Sequence, residues 1–206
     1  MAKRMARSAF RQYRSYNTEA FLKDVVEKRR PPMELKIALL GFGDVHRALA
    51  RLILRKSEAL RTEQNLVLKV VGISTNSHGR AIDPAGLDLQ AALDCYAEGR
   101  PLDELHRGEA CPDTMTFVKQ VPAEFAVEAT WMDPKTGQPA TDLLRVALER
   151  GMHVATANKG PVAFAYRELK ALADDKGVGF FFESTVMDGA PLGSPPIDSL
   201  MRLYLP

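Results

Sequence analysis

The sequence has few of the features that mark membrane-bound or disulfide-linked proteins. The 206-residue chain contains no run of about eighteen apolar residues, which excludes a membrane-spanning helix. It has only two cysteines, Cys95 and Cys111, and they do not form a Cys-x-x-Cys spacing. We therefore expect neither a disulfide framework nor a zinc site, and a reducing, cytoplasmic environment fits this composition.

Acidic residues are missing from the first part of the chain, where none precedes Glu19. Residues 1–30 hold nine of the 28 Lys and Arg but only three of the 26 Asp and Glu, so the rest of the chain is mildly acidic. Such a start resembles an organellar transit peptide. A surface helix, or a start codon assigned too early, explains it equally simply, and we favour these. Charge alone is weak evidence for nucleic acid, and we expect no such partner.

Pro31 and Pro32 end any helix in this arm and separate it from the rest of the chain. Residues 1–32 are therefore interpreted as a basic N-terminal extension. Residues 33–188 are predicted to form one domain, and residues 189–206 are interpreted as the start of another.

Apolar strands alternate with amphipathic helices through residues 33–188. The periodicity predicts strands at 35–43, 65–75, 124–130, 152–157 and 178–185, and helices at 45–60, 86–100, 102–108, 138–151 and 160–177. A strand followed by a helix and another strand requires a right-handed crossover and a parallel pair. The sequence therefore predicts an α/β fold, a Rossmann-like doubly wound parallel sheet with helices on both faces, preceded by a helical arm.

A glycine-containing turn, GFGDVH at 41–46, follows the first strand and opens the first helix. Gly41 allows a tight turn, and Gly43 allows the backbone to approach a pyrophosphate at the helix N-terminus. The third glycine of the dinucleotide fingerprint is absent, because His46 stands in its place. Asp44 suits a helix N-cap but repels a phosphate. A purely structural turn is the alternative interpretation.

The end of the second strand lacks the acid that usually binds the ribose hydroxyls of NAD. The segment ISTNSHGR at 73–80 instead offers hydroxyl and amide groups with His78 and Arg80. These groups favour the 2′-phosphate of NADP over NAD, unless the segment is simply a solvated loop.

Two further strands end in polar residues. Thr130 follows one strand, and Asn158 and Lys159 follow another. Ligands of doubly wound sheets bind outside the carboxyl ends of the strands. The sequence therefore places these side chains beside the cofactor, although a lysine at such a position also commonly points to bulk water.

Three segments resemble homoserine dehydrogenases. They are IALLGFGDVHRALARLI (37–53), VVGISTNSHGRAIDPAGLDL (70–89) and ALERGMHVATANKGPVAFAYRELKALADDKGVGFFFESTVMDGAP (147–191). The resemblance covers about residues 35–191, and its most specific parts are ANKGP and ESTVMDGAP. It implies an NAD(P)-dependent oxidoreductase that reduces aspartate 4-semialdehyde to homoserine, on the route to threonine and methionine.

The resemblance also implies the roles of individual residues. It makes Gly41, Phe42, Gly43 and Val45 the phosphate and ribose contacts, with Thr130 near the cofactor and Lys159 near the nicotinamide and substrate. The local sequence adds Asp44, Arg80 and Asn158 to the expected cofactor contacts. Lys159 would act in catalysis by placing positive charge beside the aldehyde oxygen. A sodium ion would be held by Glu183 with main-chain carbonyls near Val186 and Asp188, although a glutamate that merely ends a strand is the ordinary interpretation.

In this family a substrate domain follows the cofactor-binding domain, and we expect this chain to lack it. We expect the chain to be the cofactor-binding part, truncated before the substrate domain, with no turnover of its own. A non-catalytic NADP-binding module, a regulatory or decoy partner of a full-length subunit, and a degenerate remnant are the alternatives. Apolar residues at the missing interface are expected to promote homo-oligomers or aggregation. The candidates are Val162, Phe164, Leu192, Leu200, Met201 and Leu203.

Overall fold

The computed structural model describes residues 31–185. The predicted N-terminal arm before residue 31 and the proposed second domain from residue 189 therefore lie outside the described residues. Contacts divide the chain into two compact units. Of the described residues, one unit comprises 31–34 together with Glu58–Val67, and the other comprises Leu35–Ser57 together with 68–185.

The described residues form six strands and five α-helices. The strands are β1 (Met33–Leu40), β2 (Leu66–Ser74), β3 (Arg80–Ile82), β4 (Phe125–Glu128), β5 (His153–Thr156) and β6 (Phe180–Phe181). The helices are α1 (Asp44–Glu63), α2 (Leu89–Ala97), α3 (Thr114–Gln120), α4 (Ala140–Glu149) and α5 (Lys159–Lys176). Short 3-10 turns occupy Leu102–Leu105 and Glu183–Thr185.

The strands form one sheet in the order β3-β2-β1-β4-β5-β6. β1 pairs in parallel with β4, β4 with β5 and β5 with β6, whereas β3 is antiparallel to β2. The order reverses between β1 and β4, which is the switch point where doubly wound sheets bind their ligands. The predicted α/β fold with a largely parallel sheet is therefore confirmed.

Alternate residues of β1 enter two different cores. Ile37 and Leu39 pack with Phe42 against one face of the sheet, and Ala38 and Leu40 pack against the other. Because successive side chains of a strand point to opposite faces, this pattern means that β1 is covered on both sides. Burial on both sides explains why the strand reads as a continuous apolar run rather than an alternating one.

The structure differs from the predicted elements in two places. The predicted helix at 102–108 is only the 3-10 turn Leu102–Leu105. The predicted strand at 178–185 is reduced to two residues of β6, after which Thr185 turns back to bond the Phe182 carbonyl through both its amide and its hydroxyl. This local pairing of a threonine with nearby backbone competes with a strand ladder.

Two elements were not predicted, β3 and α3. β3 has only three residues, too few to show a period of two. α3 has seven residues and is rich in side chains that do not favour helices. Its stability comes from the N-cap Asp113, which accepts a hydrogen bond from the Thr116 amide at 2.6 Å, and from burial of Phe117 and Val118.

The smaller unit has its own local contacts. The Met33 amide donates to the Asn65 carbonyl at 2.8 Å, and Arg61 pairs with Glu58 one helical turn away at 2.7 Å. No helix within residues 31–185 is long and apolar enough to cross a membrane.

Gly72 in β2 provides a test of this packing, because α3 lies directly against it. A Cβ atom at Gly72 would stand 2.6 Å from Val121 Cγ2 and 2.7 Å from Phe117 Cζ. We expect Gly72→Ala to lower the free energy of unfolding by about 1–3 kcal/mol through overpacking. Urea denaturation measures this change. Gly43→Ala is the control, since no atom lies within 4 Å of its added carbon, and equal losses in both variants would contradict the packing.

Candidate functional site

A cleft of about 210 Å³ opens at the switch point of the sheet. Residues 41–43, 74–77 and 129–131 line it, together with Tyr96 and Thr114. The three segments follow the carboxyl ends of β1, β2 and β4, respectively. Thr130 and the glycine turn therefore line one cleft, whereas Asn158 and Lys159, which the sequence predicted to lie beside them, are not among its lining residues.

The glycine turn touches the end of β4. Gly41 has a φ of +95°, and a Cβ atom there would stand 2.6 Å from the Ala129 carbonyl oxygen. Only glycine satisfies both the backbone angle and the close approach. Gly43 differs, since a Cβ atom at Gly43 would meet open space. The cleft side of the turn can thus be approached closely by a ligand, as a pyrophosphate requires.

His46 fills the position of the missing third glycine. Its side chain is fully buried, and its Nδ1 donates a hydrogen bond of 2.7 Å to the Gly41 carbonyl. Burial lowers the pKa of His46, although the Gly41 carbonyl and the negative charge of Glu128 act in the opposite direction. Nε2 is buried with no hydrogen-bond partner. The neutral ring therefore stabilises the glycine turn from its buried side.

Asp44 is the first residue of α1 and points into solvent, with 98% of its side chain exposed. It forms an ion pair with Arg47, and the Arg47 guanidinium also lies 4.0 Å above the centre of the Tyr96 ring. Tyr96 stacks with His78 at 4.3 Å between ring centres. Neither Asp44 nor Val45, which is 59% exposed, lines the cleft itself.

The β2 wall of the cleft is made of neutral polar groups. Thr75 closes the turn that follows β2, because its hydroxyl donates to the Gly79 carbonyl at 3.0 Å and accepts from the His78 amide at 2.7 Å. Asn76 and Ser77 are exposed on this turn. Arg80 lies in β3 and is not among the cleft-lining residues.

A buried carboxylate ties the ends of β4 and β5 together. Glu128 is fully buried, and its Oε1 accepts from the Thr130 amide at 2.7 Å and the Thr130 hydroxyl at 2.6 Å. The same oxygen accepts from Asn158 Nδ2 at 2.7 Å, while Oε2 accepts from the Thr156 hydroxyl at 2.5 Å. Asn158 also donates to the Thr130 carbonyl at 2.7 Å. Together these bonds fix both strand ends at the cleft.

Lys159 follows this network as the first residue of α5, and its side chain is exposed. The preceding Asn158 occupies the N-cap position but makes no side-chain cap, and its Nδ2 instead donates to Glu128 at the end of β4. Gly160 packs against the loop after β4, where a Cβ atom would stand 2.7 Å from Gly137 Cα. This contact fixes the direction in which α5 leaves the carboxyl end of β5.

Glu183 lies in the 3-10 turn after β6 and is exposed. The other two predicted sodium ligands, Val186 and Asp188, lie outside the described residues. Within residues 31–185, no three His, Cys, Asp or Glu side chains are grouped as a metal site would need. Of the apolar residues expected at an interface, Phe164 is 55% exposed and Val162 is half-buried, while the four others lie beyond residue 185.

Sequence reasoning did not single out Glu128, Tyr96 or Arg47. Glu128 could have been recognised as a candidate site residue, because it is an acid that follows the apolar residues 125–127 at the carboxyl end of a predicted strand. Tyr96 and Arg47 carried none, because their meeting depends on how α1 and α2 pack.

The buried His46 predicts a pH dependence of stability. Its folded pKa lies below the ordinary value of 6.5, so the unfolded chain binds the proton more tightly. The stabilisation is complete above pH 6.5 and is lost as the pH falls towards the folded pKa, with a slope of at most about 1.4 kcal/mol per pH unit. Urea unfolding between pH 8 and pH 5 measures it.

His46→Gln is the variant for this test, because its amide can still donate to Gly41 but does not titrate. We expect a shallower loss of stability at low pH than in the unmodified chain. His153, whose pKa burial also lowers, is present in both proteins and cancels from the difference. Identical pH profiles would contradict the assignment.

No family model matches the chain. The chain is 40% identical over 159 residues to the NAD(+)-dependent homoserine dehydrogenase of Pseudomonas canavaninivorans, covering 77% of this chain and 45% of that protein. It is 32% identical over 158 residues to homoserine dehydrogenase of Methanocaldococcus jannaschii, covering 77% and 46%.

Solved structures of homoserine dehydrogenases are also similar to this chain. A hyperthermophilic archaeal homoserine dehydrogenase in complex with NADPH matches with a TM-score of 0.63 and 33% identity, over 78% of this chain and 47% of the other. The Thermoplasma acidophilum enzyme matches with a TM-score of 0.63 and 27% identity, over 84% and 49%. The chain thus spans about half the length of the relatives it matches, and the resemblance seen in its motifs is confirmed.

Proposed function

We propose that this chain is the cofactor-binding part of a homoserine dehydrogenase, an oxidoreductase that interconverts aspartate 4-semialdehyde and homoserine with NAD(P)H. The observation that carries the proposal is the cleft at the switch point, where the open face of Gly43 and the N-terminus of α1 meet Thr130 at the end of β4. The similarity to homoserine dehydrogenases supports the same assignment.

The geometry fits a dinucleotide that lies across the strand ends. Free space at Gly43 and the positive end of α1 suit the pyrophosphate. In doubly wound sheets the adenosine ribose lies at the end of β2, which puts the nicotinamide half over β4 and β5. The bound nicotinamide would supply hydride transfer, and the protein would position it.

Lys159 is proposed as the catalytic residue that this chain contributes. It is exposed and adjoins Asn158, which is bonded to Thr130 on the cleft wall. A cation beside the substrate carbonyl stabilises the negative charge that develops on oxygen during reduction. Thr130, Asn158 and the glycine turn would hold the cofactor in position for that transfer.

NADP is proposed as the preferred cofactor, with NAD as the alternative. None of the residues that line the cleft is a carboxylate, so no group there would repel a 2′-phosphate. Arg47, which lies over the cleft-lining Tyr96, adds positive charge on this side. Arg80, which does not line the cleft, is retained only as a more distant contributor of charge.

Three further proposals rest on the resemblance. A sodium ion would bind at Glu183 with backbone oxygens of Val186 and Asp188, since hard oxygen ligands suit such an ion. The protein would act in the cytoplasm, in keeping with its two free cysteines. It would associate with further copies through exposed apolar residues such as Phe164.

The dinucleotide site is tested by Gly43→Ala. The added methyl group occupies the space that the pyrophosphate would enter, so we expect NADPH and NADP+ affinity to fall by roughly tenfold or more, in line with a lost close contact. Isothermal titration calorimetry on the full chain measures the affinities. Because the methyl group meets no protein atom, thermal stability should stay unchanged. Unaltered affinity in the folded variant would contradict the proposed site.

Asp44→Asn tests the charge at the phosphate turn. Removing an exposed carboxylate from the first turn of α1 should tighten NADPH binding by about twofold to fivefold, because a like charge no longer opposes the phosphates. The gain should shrink at high salt. Asp174→Asn near the end of α5 is the matched control, since it removes one charge from another ion pair. Equal effects of the two substitutions would argue against a local interaction.

A further inference from the structure

Glu128 is a buried charge that the proposed function does not yet use. Among residues 31–185 it is the only fully buried acid. Burying a carboxylate is costly unless hydrogen bonds compensate, and an apolar side chain at this strand position would avoid that cost. Its retention beside a ligand cleft therefore calls for a functional explanation.

Hydrogen-bond donors of the protein surround the Glu128 carboxylate. The Thr130 amide and Asn158 Nδ2 can only donate, and both donate to Oε1. The hydroxyls of Thr130 and Thr156 complete the set, one on each oxygen. Four donors from three residues therefore converge on the two carboxylate oxygens.

The carboxylate lies directly behind the cleft wall. The hydroxyl of Thr130, which lines the cleft, is 2.6 Å from Oε1. A ring that contacts Thr130 would therefore lie within about two side-chain layers of the charge, at a distance where Coulomb interactions inside a protein remain substantial. Little water separates the two, because Glu128 has no exposed surface.

We propose that Glu128 is a positioning residue whose buried negative charge selects the oxidised cofactor. This inference rests on the proposed dinucleotide function, which puts the nicotinamide over β4 and β5. The oxidised nicotinamide ring carries a positive charge and the reduced ring is neutral, so the carboxylate attracts one form only. The same carboxylate holds Thr130 and Asn158 in place for both forms.

Glu128→Gln separates charge from shape. The Gln carbonyl can accept the three bonds now made to Oε1, and its amide can donate to the Thr156 hydroxyl. Calorimetry on the full chain at pH 8 would measure dissociation constants for NADP+, NADPH and 2′-phospho-ADP-ribose, which has no nicotinamide. We expect the ratio of NADP+ to NADPH dissociation constants to rise by about fivefold or more. Binding of 2′-phospho-ADP-ribose should change by less than about twofold.

Thr156→Val is the matched control, because it keeps the charge while it removes the Thr156 hydrogen bond to the carboxylate and the one that Thr156 accepts from the Asn158 amide. A purely structural role of Glu128 would shift both redox forms alike in both variants. The ratio should therefore stay within about twofold of the original value in Thr156→Val. A change of less than about threefold in the ratio for folded Glu128→Gln would overturn the proposal.

Failure of the proposed function gives a different result. If the unmodified chain binds none of the three ligands, the dinucleotide site itself is wrong and this inference falls with it. If 2′-phospho-ADP-ribose binds but the ratio does not respond to Glu128→Gln, only the role of Glu128 is wrong. If the Glu128→Gln variant does not fold, the affinities of the unmodified chain for NADP+ and NADPH test the proposal instead. NADP+ binding at least as tight as NADPH binding supports the proposal, and weaker binding overturns it.

Discussion

The candidate site depends on the way one buried carboxylate joins two strand ends. Glu128 is held by donors from its own strand and from β5, so the residues after both strands leave the sheet in fixed directions. Without that anchor, Thr130 and Lys159 would sit on independent loops. Because β1 pairs with β4, the same anchor sets the position of the Ala129 carbonyl, against which Gly41 packs. The glycine turn and the ends of β4 and β5 are thus connected parts of one rim at the carboxyl edge of the sheet.

His46 shows how the rim tolerates a missing glycine. The third glycine of the fingerprint normally allows helix and strand to pack closely. Here a larger ring occupies that space, and it gives a bond to the Gly41 carbonyl in return. The substitution is absorbed on the sheet side of the turn, and the cleft side at Gly43 remains open. This departure from the sequence pattern therefore leaves the ligand-facing side of the turn open.

Periodicity was enough to predict the parallel strands, the long helices and the cleft at their carboxyl ends. β1 and α1 carry strong patterns, because one is buried on both faces and the other on a single stripe. β3 and α3 are too short to carry any period, and tertiary contacts of Phe117 stabilise them instead. Among the site residues, the glycine turn and Thr130 could be predicted from local sequence. The packing of Arg47 on Tyr96 could not, since two separate helices create it.

Asp44 and Arg47 make the phosphate side of the cleft more adaptable than either residue would alone. Their ion pair is exposed to solvent at the acid and largely covered at the guanidinium, which rests on Tyr96. A surface pair of this kind is weak and is screened by salt. An incoming phosphate can therefore replace Asp44 as the partner of Arg47 at little cost. Asp44, which is already almost fully exposed, would then remain in solvent, and the guanidinium of Arg47 would be available to the ligand.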